Sequence, residues 1–241
     1  MIAFVQFLIK YALLEPFGVN ITLNIFGFSL LVLATICLAA AGYIINDIYD
    51  IETDSINKPN QVIVGKSISE KTANTLFIGF NIIGVTLGFY LSHLVGKSGF
   101  FTLFVIISAL LYVYASYLKQ VLLIGNLVIS LLVSLSLIIV GLFELLPAMT
   151  TQNQDTQITF FKIILDYALF AFIINFIREI VKDIEDIDGD YKAKMKTLPI
   201  FIGRKRSNTI ASIITFISLL SSLIVLRFLV HYFVFFVYYL L

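Results

Sequence analysis

Six long apolar stretches constrain the fold of this 241-residue chain more than any other feature. They lie at roughly 21–45, 70–92, 99–118, 121–143, 159–181 and 208–226. Each approaches or exceeds the ~20 residues that span the hydrocarbon core of a bilayer. The whole chain is 60% hydrophobic and 13% charged, whereas soluble domains are about half apolar and about a quarter charged. The sequence therefore predicts an integral membrane protein.

The spans are predicted to form one all-α, polytopic transmembrane helix bundle over residues 1–241, around a central cavity. A transmembrane barrel is excluded because its strands are about ten residues long and alternate in polarity. The chain ends, 1–14 and 228–241, are apolar but short. We therefore expect about eight spans, of which the first and last are shortened, and a turn near residue 227.

Lysine and arginine residues predict the orientation of the bundle, because they are enriched in cytoplasmic loops. With alternating spans, one side of the membrane carries eleven of them: Lys58, Lys66, Lys71, Lys119, Lys182, Lys192, Lys194, Lys196, Arg204, Lys205 and Arg206. The other side carries at most three: Lys97, Lys162 and Arg227. The first side is therefore predicted to face the cytoplasm from the plasma (inner) membrane. No basic block is long enough to bind nucleic acid, which is not an expected partner.

The predicted cytoplasmic side also holds two groups of acidic residues, each at the end of a helix. The first follows the apolar run 21–45 and reads NDIYDIETD. At 100° per residue, Asp47, Asp50 and Asp54 lie within about 60° of one another on a helix. Glu52 lies elsewhere and is predicted to be a solvated charge. Carboxylates in so narrow a stripe repel one another, so some other group must offset this electrostatic repulsion.

The second acidic group reads REIVKDIEDIDGD and forms an equally narrow stripe, with Asn175 beside it. Four acids lie within about 60° of one another: Glu179, Asp183, Asp186 and Asp190. Two acids lie off the stripe and are predicted to be solvated: Glu185 and Asp188. Gly189 is expected to end or loosen this helix.

If the two acidic helices are neighbours, two rows of carboxylates face each other across one cavity that opens to the cytoplasm. Such a cavity demands cations, and clustered oxygen ligands favour magnesium or calcium. An EF-hand calcium loop does not fit, because with Gly189 at its sixth position Ile184 and Met195 would occupy two key acidic positions. Magnesium usually takes one or two carboxylates and completes its shell with substrate phosphates. Three nearby cations would balance those phosphates: Lys58, Lys119 and Lys182.

This arrangement predicts a membrane-embedded site for a diphosphate with an apolar tail, and an isoprenyl diphosphate meets both requirements. The 23 Phe and 12 Tyr residues, mostly in the spans, are available to line a tunnel for that tail. Most of them are nevertheless expected simply to fill the core. Gly84 and Gly88, at GxxxG spacing, are predicted to allow close helix packing.

The acidic motifs resemble those of the UbiA family of intramembrane prenyltransferases. NDIYDIETDSINKPN is similar to the first signature of that family, N-D-x-x-D-x-x-x-D followed by an Asn-Lys-Pro turn. REIVKDIEDIDGD, followed by KTLP and Gly203, is similar to the second signature and most resembles the branch that makes digeranylgeranylglyceryl phosphate. YVYASYLKQVLLIGN resembles the stretch between them, in which a tyrosine, a lysine and an asparagine recur. The similarity covers about residues 1–227.

The resemblance implies a Mg²⁺ cofactor and a set of site residues. The implied metal ligands are Asp47, Asp50, Asp54, Glu179, Asp183 and Asp186. The implied catalytic residues are Asp50, Asp54, Asp183 and Lys119. The implied substrate-binding residues are Asn46, Lys58, Tyr114, Asn126, Asn175 and Lys182. In this scheme Lys58, Tyr114 and Lys119 contact the diphosphate or shield the cation that forms when it leaves.

The sequence departs from the family in two respects. Gln61 stands where the family commonly has a basic residue, so one phosphate contact is expected to be missing. The family has nine helices, the first of which starts with Arg-Pro-Asn, whereas here the first helix begins late and the chain stops inside the eighth. The single prenyltransferase domain is therefore expected to be shortened at both ends, with part of the cavity wall absent.

The expected function is magnesium-dependent transfer of a prenyl group, geranylgeranyl by the resemblance, from its diphosphate to a lipid-soluble acceptor in the membrane. Metal ions and lysines stabilise the charge on the leaving diphosphate, and the allylic carbon becomes cation-like in a water-poor cavity. The motif favours geranylgeranylglyceryl phosphate as acceptor, and an aromatic quinone precursor is the alternative.

Two other functions fit the sequence less well. A CDP-alcohol phosphotransferase would need a D-G-x-x-A-R element, which the chain lacks. An ion-coupled transporter would carry acids near the middle of the membrane. Here the acids lie at helix ends, and only Asp166 is otherwise placed in a span.

Overall fold

The computed structural model describes the backbone of residues 1–240 and the side chains of residues 1–223. In that part of the chain the regular elements are helical, apart from one isolated β-bridge between Val64 and Ile68. The α-helices in chain order are α1 (Ile2–Leu8), α2 (Ile25–Tyr49), α3 (Ile51–Asn57), α4 (Glu70–Leu94), α5 (Phe101–Ser116), α6 (Ile124–Glu144), α7 (Gln154–Glu185), α8 (Ile187–Lys192), α9 (Leu198–Ile202) and α10 (Arg204–Leu240). The all-α prediction is confirmed.

Five helical stretches among the described residues are long and apolar enough to cross a membrane. They are α2, α4, α5 together with the 3-10 turn before it (Ser98–Ser116), α6 and α7. Each overlaps one of the predicted apolar runs, and the bounds differ by a few residues. The largest difference is in α7, which extends the predicted run 159–181 at both ends to 32 residues. The chain is thus a polytopic membrane helix bundle.

The two ends of the chain differ from the prediction in their details. A π-helical turn (Ile9–Leu14) and a 3-10 turn (Glu15–Phe17) follow α1, and Gly18, with φ of 65°, ends them. The predicted turn near residue 227 is wrong, because the backbone of α10 continues through this position. The sequence there contains neither glycine nor proline, so nothing breaks the helix. One helix therefore replaces the last two predicted spans.

The GxxxG pair on α4 has two different packing roles. A Cβ atom at Gly84 would lie 2.8 Å from Leu38 Cγ and 3.2 Å from the Ala34 carbonyl oxygen of α2. This glycine lets two helices approach closely, as predicted. A Cβ atom at Gly88 would lie 2.6 Å from Cδ1 of Phe104. Gly88 thus makes room for an aromatic ring of α5 and not for a helix backbone.

Both acidic motifs lie where a long helix gives way to a short one. Asp50 separates α2 from α3, and its amide donates to the Asn46 carbonyl at 2.9 Å, while the amide of Asp54 donates to the Asp50 carbonyl at 2.8 Å. The i to i−4 hydrogen bonds therefore continue through the junction and preserve the predicted stripe. Asp186 separates α7 from α8 in the same way. Gly189 is predicted to end or loosen this helix. The break falls instead at Asp186, and Gly189 lies inside α8.

Gly189 instead brings the two acidic segments together. Its amide donates to Asn57 Oδ1 at 2.8 Å, and Asn57 Nδ2 donates in turn to the Asp186 carbonyl at 2.9 Å. A Cβ atom at this position would lie 2.8 Å from the Thr53 carbonyl oxygen. Only glycine permits so close an approach of α3 and α8. The helices that carry the two acidic stripes are thus neighbours, which is the condition for one shared cavity.

Candidate active site

Two adjoining cavities lie where α2–α3 meets α7–α8. The smaller has a volume of about 40 Å³ and is lined mainly by polar side chains. The larger has a volume of about 350 Å³ and extends from the acidic residues along apolar faces of α2, α5 and α6. Five residues line both: Asp50, Asp54, Tyr114, Glu179 and Lys182. A polar compartment therefore opens onto an apolar one.

The predicted site residues all line one or both of these cavities. Besides the five shared residues, the smaller cavity is lined by Lys119, Asn126, Asp183 and Asp186. The larger cavity is also lined by Asn46, Asp47, Lys58 and Asn175. The three acids that were predicted to be solvated are exposed: Glu52, Glu185 and Asp188. The helical spacing thus correctly separated the acids of the cavities from their neighbours in sequence.

On the α2–α3 wall, Asp50 is the most strongly held of the acids. It is only 8% exposed, and its carboxylate forms an ion pair with Lys119. Asn46 Nδ2 donates to the other carboxylate oxygen at 2.5 Å, and Thr53 Oγ1 donates to Asp50 Oδ1 at 3.3 Å. These bonds fix one carboxylate in a defined orientation at the boundary between the two cavities.

On the α7–α8 wall, Asp186 and Asp183 have different partners. Lys58 Nζ lies 2.8 Å from Asp186 Oδ1, so the loop after α3 is tied to the opposite wall. Asn126 Nδ2 of α6 donates to Asp183 Oδ2 at 2.9 Å. Asn126 comes directly after Gly125, where a Cβ atom would lie 2.6 Å from Lys119 Cα. Close packing at Gly125 thus places the predicted lysine and asparagine beside each other.

Acidic groups outnumber basic groups around the two cavities. Seven carboxylates line them: Asp47, Asp50, Asp54, Glu179, Asp183, Asp186 and Asp190. Four basic side chains line them: Lys58, Lys119, Arg178 and Lys182. Burial, and next the negative charge of Asp50, raise the pKa of Asp54. Burial, and next the charge of Asp186, raise the pKa of Asp190 to about 6. The site therefore holds an excess of negative charge that a cation would relieve.

No three His, Cys, Asp or Glu side chains among the described residues are arranged to hold a metal ion together. Instead, Lys119 and Lys58 neutralise Asp50 and Asp186. The side chains of Asp47 and Asp54 form neither ion pairs nor hydrogen bonds within the described part of the chain. The predicted ligands thus line opposite walls without converging on a single point.

Comparisons with known proteins identify the family to which this site belongs. The model of the UbiA prenyltransferase family matches residues 11–241. The chain belongs to this family. Its resemblance to the UbiA signatures, inferred from the motifs at the two acidic junctions, is confirmed.

Similar proteins carry one common name. The digeranylgeranylglyceryl phosphate synthase of Pyrococcus horikoshii is 36% identical over 188 residues, which are 76% of this chain and 59% of that protein. The protein of the same name from Methanococcoides burtonii is 32% identical over 218 residues, 89% of this chain and 70% of that protein. This UbiA chain thus spans about three-fifths of the length of the Pyrococcus protein.

A solved structure has the same fold. It comes from work described as structural and mechanistic insights into digeranylgeranylglyceryl phosphate synthase in membranes. The two structures superpose with a TM-score of 0.58 at 26% sequence identity, and the match covers 91% of this chain and 68% of the other. The chain therefore shares the overall fold of that structure over most of its length.

Several residues of the UbiA site are not evident from the motif spacing. Asn57 lies within the quoted Asn-Lys-Pro turn, but its bond to Gly189 depends on the packing of α3 on α8. Arg178 lines the larger cavity, is 66% exposed and contacts Glu179 at 2.5 Å. The sequence signal for Arg178 was its position directly before Glu179 in the second acidic motif. Met195 and Thr197 also line the smaller cavity. Thr197 belongs to the KTLP element that follows the second motif, whereas no motif marked Met195.

Proposed function

We propose that this UbiA chain is a prenyltransferase that moves a geranylgeranyl group from its diphosphate to geranylgeranylglyceryl phosphate, with Mg²⁺ as cofactor. The observation that carries the proposal is the joining of a polar, acid-lined cavity to a mainly apolar one. Family membership supports prenyl transfer. The relatives from Pyrococcus and Methanococcoides, named for digeranylgeranylglyceryl phosphate, support this choice of product.

The donor would bind with its diphosphate among the charged residues and its tail in the larger cavity. The volume of about 350 Å³ falls within the range of about 300–1,000 Å³ that is typical of ligand sites. On α2 the lining runs from Asp50 to Thr35, which corresponds to about 22 Å along a helix. A 20-carbon prenyl tail has about 15 main-chain bonds of ~1.5 Å each and is roughly 20 Å long when extended. The cavity therefore suits this donor.

The side chains of the site fit Mg²⁺ chemically. They offer carboxylate oxygens, the ligand type that Mg²⁺ prefers, and this ion usually takes only one or two of them together with substrate phosphates. A converging group of three carboxylates is therefore not needed. The residues that would hold the ion are Asp47, Asp50 and Asp54 on one wall and Glu179, Asp183 and Asp186 on the other. When bound, Mg²⁺ would neutralise charge on the leaving diphosphate.

The protein's own side chains would perform the remaining steps. Lys119, Lys182 and Lys58 would contact the phosphates and stabilise the negative charge that develops as the bond between C1 of the tail and the diphosphate oxygen breaks. The ring of Tyr114, at the boundary between the cavities, would face the allylic cation that results. Asn46 and Asn126 would position the carboxylates of Asp50 and Asp183.

The apolar walls of the larger cavity would protect the cation from water, which would otherwise capture it. A hydroxyl oxygen of the acceptor would then form the new carbon–oxygen bond and lose its proton. Because Lys and Arg are concentrated in the loops at this end of the bundle, we also propose that the site faces the cytoplasm from the plasma membrane.

One experiment tests both reaction and acceptor. The purified protein, in lipid nanodiscs, is incubated with radiolabelled geranylgeranyl diphosphate and either geranylgeranylglyceryl phosphate or an aromatic quinone precursor. We expect labelled ether lipid from the first acceptor with Mg²⁺ and none with EDTA. Product from the aromatic acceptor alone would overturn the proposed acceptor. The absence of any Mg²⁺-dependent product would overturn prenyl transfer itself.

A further inference from the structure

Arg178 is a basic side chain of the larger cavity that the proposed reaction leaves without a role. Four basic side chains of the described residues line the two cavities: Lys58, Lys119, Arg178 and Lys182. In the proposed reaction the three lysines contact the phosphates of the donor. Arg178 lines the larger cavity but not the smaller one. It therefore lies outside the polar compartment and is available to a second anion.

Arg178 and Lys182 lie one turn apart on the same face of α7. At 100° per residue their directions differ by about 40°, and about 6 Å separates them along the helix axis. Lys182 lines both cavities and so lies at their boundary, whereas Arg178 lies one turn farther from α8. Two cations thus follow each other along α7, from the polar compartment toward the apolar one.

The guanidinium group of Arg178 has donors left for a ligand. It contacts Glu179 Oε1 at 2.5 Å through one nitrogen. It makes no other hydrogen bond or ion pair with a residue whose side chain the structure describes. A guanidinium carries five N–H donors in a planar fork, and this fork fits a phosphate through two parallel hydrogen bonds. Arg178 can therefore bind a phosphate while it keeps its contact with Glu179.

The proposed acceptor brings a phosphate of its own into the larger cavity. In geranylgeranylglyceryl phosphate, the phosphorus is separated by four bonds, roughly 5 Å, from the free hydroxyl oxygen of the glycerol unit. This oxygen has to come within about 3–3.5 Å of C1 of the donor before it can react. The phosphate of the acceptor must then lie within roughly 10 Å of the diphosphate, in a water-poor cavity where an unpaired anion is costly. Arg178, one turn from Lys182, lies within this range.

We propose that Arg178 binds the phosphate group of the acceptor and so selects a glyceryl phosphate over an uncharged glyceryl ether. The inference rests on the proposed function and deepens it, because it assigns one side chain to the recognition of the second substrate. Arg178 would hold the glycerol unit with its hydroxyl toward C1 of the donor. Lys119 and Lys182 would keep the diphosphate.

Binding of the acceptor in the absence of the donor tests the inference independently of catalysis. The dissociation constants of geranylgeranylglyceryl phosphate and of its dephosphorylated form, geranylgeranylglycerol, are measured for the purified protein in detergent. Arg178→Ala should weaken binding of the phosphate form by about 10- to 100-fold, the loss expected for hydrogen bonds between charged groups. Binding of the uncharged form should not change. Arg178→Lys keeps the charge but loses the planar fork, so its loss should be intermediate.

Kinetics with the same two acceptors separate a direct contact from an effect through Glu179. A variant that only displaced Glu179 would lose transfer to both acceptors by the same factor. We expect instead that Arg178→Ala lowers the ratio of kcat/KM for the phosphate form over the uncharged form by about 10- to 100-fold. The KM for geranylgeranyl diphosphate should stay the same.

The matched control is Arg204→Ala, because Arg204 is an exposed arginine at the start of α10 and lines neither cavity. It should retain both dissociation constants. The inference is overturned if the unaltered protein does not prefer the phosphate form, or if Arg178→Ala retains that preference. If Arg178→Ala fails to fold, Arg178→Lys decides the question in the same way. Binding that depends on Arg178, without transfer to either acceptor by the unaltered protein, would overturn the proposed function alone.

Discussion

The bundle contains two groups of buried charges, one at each end of α2, and they differ in balance. Near the start of α2, Lys10 Nζ lies 2.7 Å from Glu144 Oε1 of α6, and the two side chains are 1% and 0% exposed. The other oxygen of Glu144 accepts from the amides of Thr22 and Leu23, at 3.1 and 2.9 Å. Lys10 also donates to the Leu23 carbonyl at 2.5 Å. Each charge here has an opposite charge and at least two hydrogen bonds.

At the other end of α2, seven carboxylates face four basic side chains. A buried ion pair whose charges balance, such as Lys10–Glu144, needs no further partner and links three chain segments. An uncompensated group of acids costs folding energy, and such groups are typical of binding sites. The balance of charge, and not burial, therefore separates the structural pair from the proposed active site.

The largest expected effect is on activity at the unbalanced end. Asp50→Asn keeps the size of the side chain but removes its charge, so prenyl transfer should fall by about 10²–10³-fold or more, a loss typical of a key electrostatic group. The substitution also breaks the ion pair with Lys119, which is only 10% exposed, so the melting temperature should fall as well. Glu52→Ala, an exposed neighbour, is the control and should retain activity. Full transfer by purified Asp50→Asn protein would remove Asp50 from the site.

At the end of α2 where Lys10 pairs with Glu144, we expect substitutions to change the stability of the protein. Glu144→Ala leaves Lys10 as a buried charge without its partner, which typically costs about 3–5 kcal/mol. The double variant Lys10→Met, Glu144→Leu removes both charges and should recover much of that loss. Thermal unfolding in detergent measures both. A Glu144→Ala variant that unfolds normally but has lost transfer would contradict the distinction between the two groups.

An intermediate effect is expected where the two acidic walls touch. Gly189→Ala places a methyl group against the Thr53 carbonyl and should separate α3 from α8. Misplacing catalytic groups by about 1 Å can cost roughly 10²-fold in rate, so transfer should fall by about 10- to 100-fold. Gly79→Ala on α4, where a Cβ atom would meet nothing within 4 Å, is the matched control. Equal activities of the two variants would show that the close contact is unimportant.

The smallest expected effect is a change in pH dependence. Because the folded protein raises the pKa of Asp190 to about 6, above its usual value of about 3.9, ionisation of Asp190 opposes folding. The contribution of Asp190 to the free energy of unfolding is therefore most favourable below about pH 4. It becomes less favourable as the pH rises through 6, by up to about 1–3 kcal/mol.

Asp190→Asn removes this pH-dependent contribution to stability. Without Mg²⁺, the melting temperature of the variant should therefore fall less between pH 5 and 7 than that of the unaltered protein. Parallel curves for the two proteins would show that the site does not oppose this charge.

The sequence predicted what depends on local periodicity. Helical spacing assigned Asp47, Asp50 and Asp54 to one face and excluded Glu52, because the hydrogen bonds of the helix continue through Asp50. The apolar runs predicted the spans for the same reason. The lengths of the apolar runs predicted a turn near residue 227. No glycine or proline breaks the helix there, so α10 continues through this position.

Local sequence patterns could not predict contacts between segments that are distant in the chain. Lys10 and Glu144 are 134 residues apart, and the apolar run 121–143 stopped one residue before Glu144, so nothing marked them as a pair. Phe104 is one of 23 phenylalanines, and only the structure shows that it packs against Gly88 of α4 and Phe143 of α6. The roles of such residues depend on which helix faces which.

The ion pair between Lys58 and Asp186 has a consequence for the proposed reaction. A phosphate group that recruits Lys58 must take this lysine away from Asp186, which lies 2.8 Å from it. In the proposed reaction, Asp186 would therefore compete with the donor for Lys58 and would weaken its capture. Asp186 would also rejoin this lysine once the diphosphate is free, which would favour release of the by-product. The loop after α3 would thus take part in both binding and release.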